Sequence, residues 1–191
     1  MTMKINNQIL DKAKKVKAVI FDGDGVFFTG RVFVNNHGQE YLKERSHIDG
    51  QGISLLRDAK LRIAIISSEK TGFLEGVGEK LNNLPSVKEG KWEHIAIFTG
   101  PQGKQKVDTI ERWLKEINVS WNETAVMGDD LSDYQLLKKA GLASAPAQAE
   151  DIIKENCDFI SVRKGGKGAI RDFCNFILKA KGIDVVNLKL R

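Results

Sequence analysis

The sequence predicts an α/β protein: a three-layer sandwich with a central parallel, Rossmann-like sheet and a β-hairpin flap after the first strand. Three observations predict it. Short β-branched apolar runs alternate with longer stretches at helical spacing, the pattern of a parallel sheet covered by helices. The alternation runs through all 191 residues, a length that fits one domain with its own core. One segment, between Val26 and Ser46, interrupts it with two extended runs.

Taken in order, "KAVIFD" ending at Asp22 is the first buried strand. "LRIAIISS", "HIAIFTG", "ETAVMGD", "GLASAPA" and "CDFISV" follow as strand candidates. Helical spacing fills the gaps at Gly52 to Ala59, Thr71 to Leu81, Lys106 to Ile117 and Leu131 to Ala140, with a further helix starting near Ala169. Right-handed crossovers build this βα order into a sheet with helices on both faces. The interruption at about 26–46, "VFFTGRVFVNNHGQEYLKERS", reads as a hairpin turning at Asn-Asn-His-Gly. Placed there, it leans over the carboxyl ends of the strands, where open α/β sheets bind ligands. The absence of repeats and low-complexity linkers makes residues 1–191 a single domain.

Charge and composition exclude several functions. Lys and Arg number 30 against 25 Asp and Glu, and the net charge of +5 favours anionic ligands. The basic residues are scattered, without the aromatic-interleaved stripe of a nucleic-acid binder. Cys157 and Cys174 have neither disulfide-framework nor zinc spacing, which fits a reducing cytoplasm. The lysine-rich start has no apolar stretch suited to a signal peptide or a membrane span.

Strand ends converge in such a fold, so distant residues can share a site. The candidates are Asp22 and Asp24 after the first strand, Ser67 after "RIAII", Lys106 at a helix start, and Asp129, Asp130 and Asp133 in "GDDLSD". Crowded carboxylates in a poorly solvated crevice demand protons or a divalent cation. Oxygen ligands without His or Cys point to Mg²⁺, held by Asp22 and Asp129. Lys106 and Ser67 add a positive charge and a hydroxyl suited to phosphoryl oxygens. Asp22 is then placed to attack phosphorus as a carboxylate nucleophile. Asp24, one residue on, serves as general acid and then as general base.

Each fragment alone also has a plainer reading. Asp-Gly pairs form turns, "GDDLSD" suits a helix N-cap, and Ser67 and Lys106 suit a turn and a surface. An EF-hand is excluded, because its fifth and twelfth positions would be Val26 and Phe33. His37, His47 and His94 show no ligand spacing. "GGKG" at 165–168 lacks the P-loop spacing, although a glycine bend before a helix can receive an anion.

Taken together and in order, these residues resemble the haloacid dehalogenase superfamily of Asp-nucleophile phosphatases. Asp22 and Asp24 match its nucleophile and acid/base pair, Ser67 its second-motif hydroxyl, Lys106 its third-motif lysine, and Asp129 with Asp133 its metal-binding fourth motif. The resemblance implies that the Asp24 backbone carbonyl joins Asp22 and Asp129 on Mg²⁺, with Asp130 and Asp133 supporting. "NNHGQE", "DGQGI" and "GGKGAIRDFC" further resemble the capless phosphatases that remove the 8-phosphate of 3-deoxy-D-manno-octulosonate, and their relatives acting on nine-carbon sugar-acid 9-phosphates. That likeness implies a phosphorylated sugar-acid substrate, a role in lipopolysaccharide biosynthesis, and a homotetramer in which flap hairpins pack together. It also implies substrate contacts around Lys43, Ser46, His47, Asp49, Gly50 and Arg171.

The chain departs from the octulosonate phosphatases at Ile48, Ser54 and Glu69, where they commonly carry arginine suited to a carboxylate. "FFTG" replaces "LTDG" or "LSDG", and Gly23 replaces valine. Lys43, Arg31, Lys167 or Arg171 would then supply anion recognition. Two readings of other classes stay open: a receiver-like phospho-Asp module, and a weakly active paralogue kept for assembly.

Overall fold

The computed structural model describes residues 7–188. In chain order the elements are α1 (Asn7–Lys15), β1 (Ala18–Asp22), β2 (Phe28–Val34), β3 (Glu40–Arg45), α2 (His47–Asp58), β4 (Arg62–Ser67), α3 (Phe73–Asn82), α4 (Pro85–Lys88), β5 (Ala96–Thr99), α5 (Lys104–Glu116), β6 (Thr124–Met127), α6 (Tyr134–Lys139), β7 (Leu142–Ala145), α7 (Asp151–Glu155), β8 (Phe159–Ile160) and α8 (Ala169–Ala180). Six of the strands form one sheet in the order β5-β4-β1-β6-β7-β8, every pair parallel. The chain builds outward from β1 through β4 to β5, then returns to the other side for β6 to β8. The strand order therefore reverses between β1 and β6, and the loops leaving these two strands flank the crevice where α/β sheets hold ligands.

Alternation along the strands feeds two cores. Val19 and Phe21 face one side with Ile63, Ile65 and Met127, packing on α1, α2, α3 and α8. Ala18 and Ile20 face the other with Ala64, Ile66 and Val126, packing on α5, α6 and α7. Both layers bury strand side chains, which is why these runs are continuously apolar rather than alternating with polar residues. The flap is a separate antiparallel pair, β2 with β3. Its turn is held by Asn35, whose Oδ1 accepts from the His37 and Gln39 amides at 2.9 and 3.0 Å.

Several boundaries differ from the sequence expectation, and α1 is absent from it. Helix α2 starts at His47 rather than Gly52, with Ser46 Oγ accepting the Ile48 amide at 3.1 Å as its N-cap. Its glycines look like loop signals but serve packing: a Cβ on Gly52 would stand 3.1 Å from the Arg171 Cα and 3.2 Å from Cys174 Sγ on α8. The "CDFISV" strand shrinks to Phe159–Ile160 at the sheet edge. Helix α1, lysine-rich outside, presents Ala13 as its one fully buried residue, with Ile9 and Leu10 partly buried on the same face. Among the described residues, no helix is long and apolar enough to cross a membrane.

Candidate active site

Asp22 closes β1, and its neighbour Gly23 continues the ladder by donating to the Ile66 carbonyl at 2.8 Å. Ser67 closes β4 next to it. Lys106 enters from the first turn of α5, and the loop after β6 brings Asp129, Asp130 and Asp133. Three of these side chains meet in a buried ion cluster. Lys106 Nζ donates to Asp22 Oδ1 at 2.5 Å and to Asp133 Oδ1 at 2.7 Å, and all three side chains are nearly inaccessible.

Asp133 uses its other oxygen to accept the Asp129 and Asp130 amides at 3.1 and 3.5 Å, so it braces the loop while it holds Lys106. Asp130 is exposed, and its Oδ1 accepts the Leu131 amide at 2.7 Å, which caps the turn. Asp129 differs from both. Its Oδ1 is buried without a hydrogen-bond partner. A Cβ on Gly25, at φ +91°, would lie 2.0 Å from Asp129 Oδ2, so glycine there lets the two loops close on each other.

Electrostatics follow from that crowding. Burial, then the charge of Asp133, pushes the Asp22 carboxyl well above its ordinary value against the opposing pull of Lys106. Burial and the charges of Asp133 and Asp130 push Asp129 up to about 7. Burial would lower the Lys106 pKa, but Asp22 and Asp133 outweigh it and hold the ammonium charged.

Asp22, Asp129 and Asp133 offer oxygens within 4.8 Å of one another. Three carboxylates facing one ammonium leave a formal charge of −2. The donor set therefore fits a hard divalent cation: it is oxygen-only, doubly negative, and includes one buried oxygen that no protein donor satisfies. Of the three, Asp133 is already committed to Lys106 and the loop amides, which makes Asp22 and Asp129 the freer ligands.

A second line of contacts runs toward the flap. Asp24 Oδ2 accepts from Ser67 Oγ at 2.9 Å, and Oδ1 accepts from Lys43 Nζ of β3 at 2.7 Å. Gly23 permits this approach, since a Cβ there would stand 2.6 Å from Ser67 Cβ. From below, Gln148 Nε2 donates to the Gly25 carbonyl at 2.6 Å while its Oε1 accepts the Gly165 amide at 2.9 Å. The Gly166 amide donates to the Val26 carbonyl at 2.8 Å. Gln148 gives no signal in the sequence, and Gly165 and Gly166, expected in "GGKG" as an anion-receiving bend, instead pack against the bend at Gly25 and Val26.

The other expected substrate contacts do different work. Asp49 is fully buried: its oxygens accept the Gly168 and Arg171 amides at 2.9 and 3.0 Å, capping α8 and binding it to α2. This corrects its assignment to substrate, and it corrects the anion site expected at "GGKG", because the anion there is Asp49 itself. Ser46 is occupied as the α2 cap, and Gly50 lies in the first turn of α2 with its amide on the Ser46 carbonyl. Arg171 projects along α8 to Asn175, its Nε donating at 3.0 Å. His47 is exposed at the start of α2 and Arg31 on β2, while Lys167 pairs with Glu44 of β3 at 3.2 Å. A cleft of about 640 Å³ near Lys70, Gly100, Gln105 and Arg112 opens beyond β5, and no member of the carboxylate cluster lines it.

The chain is similar to known phosphatases. The chain is 28% identical over 178 residues to the 3-deoxy-D-manno-octulosonate 8-phosphate phosphatase of Salmonella typhi, covering 93% of this chain and 87% of that one. The structure of the Moraxella catarrhalis 3-deoxy-D-manno-octulosonate 8-phosphate phosphatase, solved with a magnesium ion, a phosphate ion and KDO, matches at TM-score 0.80 and 26% identity, covering 92% of this chain and 93% of that one. The cobalt-bound deoxy-D-mannose-octulosonate 8-phosphate phosphatase of Haemophilus influenzae matches at TM-score 0.77 and 30% identity, over 90% and 92%. The strand order also departs from the 2-1-3-4-5 order of receiver-type modules and sets that reading aside. Residues 2–171 match the family model of haloacid dehalogenase-like hydrolases, and the chain belongs to that family.

Proposed function

We propose that the chain is a Mg²⁺-dependent phosphomonoesterase that uses Asp22 as nucleophile on a sugar-acid phosphate, foremost 3-deoxy-D-manno-octulosonate 8-phosphate. The observation that carries the reading is the buried Asp22–Lys106–Asp133 cluster beside the unsatisfied oxygen of Asp129. A Mg²⁺ ion held by Asp22, Asp129 and the Asp24 carbonyl would offset the carboxylate charge and draw the phosphoryl group toward Asp22.

The chain's own groups supply the rest. An Asp22 oxygen bonds to phosphorus as the bond to the sugar oxygen breaks, and the departing alkoxide takes a proton from Asp24. Lys106 stabilises the phosphoryl oxygens and pulls against the burial and the Asp133 charge that raise the Asp22 pKa. Ser67 contributes a hydroxyl at the same strand edge. In the second half, the oxygen of a water molecule bonds to phosphorus and the bond to Asp22 breaks, its electron pair returning to the carboxylate. A proton of that water passes to Asp24, and inorganic phosphate leaves.

A second substrate reading rests on what surrounds the site. Ile48 is exposed on α2, Ser54 is buried within it, and Glu69 is exposed just beyond Ser67, so none of these positions offers arginine to a carboxylate. The missing arginines leave a nine-carbon sialic-acid-type 9-phosphate or another small sugar phosphate as the alternative. The hairpin exposes Val32, Phe33, Val34, Tyr41 and Leu42, which suits burial against other copies in a homotetramer. The unpaired cysteines, Cys157 and Cys174, suit the cytoplasm.

The test is hydrolysis of a panel of sugar phosphates with Mg²⁺, by wild type and Asp22→Asn. Wild type is expected to prefer a sugar-acid phosphate, and the variant to be inactive on every compound. Full activity in Asp22→Asn would refute the nucleophile. A wild-type specificity constant no better than that for p-nitrophenyl phosphate throughout would favour the weakly active assembly paralogue.

A further inference from the structure

The flap touches the reaction centre through Lys43. Its side chain is only 3% exposed, unusual for a lysine on a two-stranded hairpin. Several groups hold it. Nζ donates to Asp24 Oδ1 at 2.7 Å and forms an ion pair with Glu40 Oε2 at 3.3 Å. The rings of Phe28 and Phe73 stand 5.9 and 5.8 Å from the ammonium, one on the flap and one at the start of α3. Burial would lower the Lys43 pKa, but Asp24 and Glu40 outweigh it and raise the value, so the group stays charged. A buried ammonium is tolerated only when it is paired. Its position is therefore fixed by these partners rather than by solvent.

The consequence falls on Asp24. With Ser67 Oγ on Oδ2 and Lys43 Nζ on Oδ1, both carboxylate oxygens accept, and the plane of the group is set from opposite sides. Serine donates from the sheet and lysine from the flap, so neither alone fixes the rotamer.

The geometry points to Lys43 as a positioning residue for the second half of the reaction: it holds Asp24 as an oriented acceptor for the water that releases phosphate from Asp22, with Glu40 and the two phenylalanines holding Lys43 in turn. This rests on the phosphatase reading above. In that half water bonds to phosphorus, the Asp22–phosphorus bond breaks back to the carboxylate, and the water proton goes to Asp24. Without Lys43 a substrate whose leaving group needs no proton still forms the phosphoenzyme normally, and the phosphoenzyme then breaks down slowly.

The experiment compares wild type, Lys43→Met, Lys43→Arg and Glu40→Gln with p-nitrophenyl phosphate, whose leaving group needs no proton from Asp24. Lys43→Met is expected to lower kcat about 10- to 100-fold, less than the roughly 10²–10⁴-fold that general base catalysis itself contributes. kcat/KM, which reports phosphoenzyme formation, stays within about threefold, and acid-quenched phosphoenzyme accumulates. Lys43→Arg restores part of kcat, and Glu40→Gln gives a smaller loss of the same kind. Parallel loss of kcat and kcat/KM without accumulation, or unchanged kcat, overturns the proposal while leaving the phosphatase reading intact. An inactive wild type removes that reading, and this proposal with it.

Discussion

Replacing Asp129 by asparagine should stabilise the metal-stripped protein while destroying its activity. In the folded chain Asp129 ionises at about 7 against an ordinary 3.8, chiefly because it is buried and then because Asp133 and Asp130 repel it. Between those two values the folded state binds more protons than the unfolded one, so stability falls as pH rises through that window and stays low above it. The step from 3.8 to about 7, at 1.36 kcal/mol per pH unit, is at most about 4 kcal/mol at pH 8. Asparagine keeps the shape and removes the charge. For a chain of 191 residues, ~2–4 °C per kcal/mol converts this to a rise in Tm of up to ~8–16 °C in a chelator. The assay is thermal unfolding of both proteins at pH 5 and pH 8, with chelator and with Mg²⁺. The gap between them should be wide at pH 8 and narrow at pH 5. Magnesium should raise the wild-type Tm by about 2.7 kcal/mol equivalent at a hundredfold excess over Kd, and should do little for the variant. A chelated variant no more stable than wild type at pH 8 would refute the claim that Asp129 is a buried charge awaiting a cation.

Two further outcomes follow from residues reassigned or newly exposed by the fold. Asp49→Ala strands two amides at the start of α8 and should cost about 2–4 kcal/mol in urea unfolding with KM unchanged; a raised KM at unaltered stability would return Asp49 to the substrate. Phe33→Asp, at a hairpin position 53% exposed in the single chain, should shift the sedimenting species to a smaller assembly. An unchanged mass would separate the flap from assembly.

The residues gathered at the strand ends were legible because each follows an apolar run whose end is marked in the sequence. Asp22 after "AVIF" and Asp129 after "TAVMG" occupy the two loops that flank the reversal of strand order, so the sheet itself brings them together. What stayed hidden depends on contacts between distant segments. Gly50 lies outside the helix expected from Gly52 onward, yet both glycines fall within α2, and the neighbour that requires a small residue at Gly52 is Arg171 on α8. Asp49 looked like a ligand because an acidic residue beside glycines gives no sign that it points inward. Lys43 gave no sign of pointing to Asp24 rather than to water, because in a flap exposed on both faces the two-residue period marks neither side as inner.

The strap formed by Gln148, Gly165 and Gly166 has a bearing on how the protein comes into being. It buttresses the bend at Gly25 and Val26, so a loop translated among the first thirty residues is braced by a segment synthesised near the end. A ribosome-bound chain ending before Gln148 would already possess the nucleophile, the lysine and the serine, yet the bend at Gly25 and Val26 would lack this support. Catalytic competence should thus arrive late and abruptly during biogenesis, shielding the cell's phosphate esters from half-made enzyme.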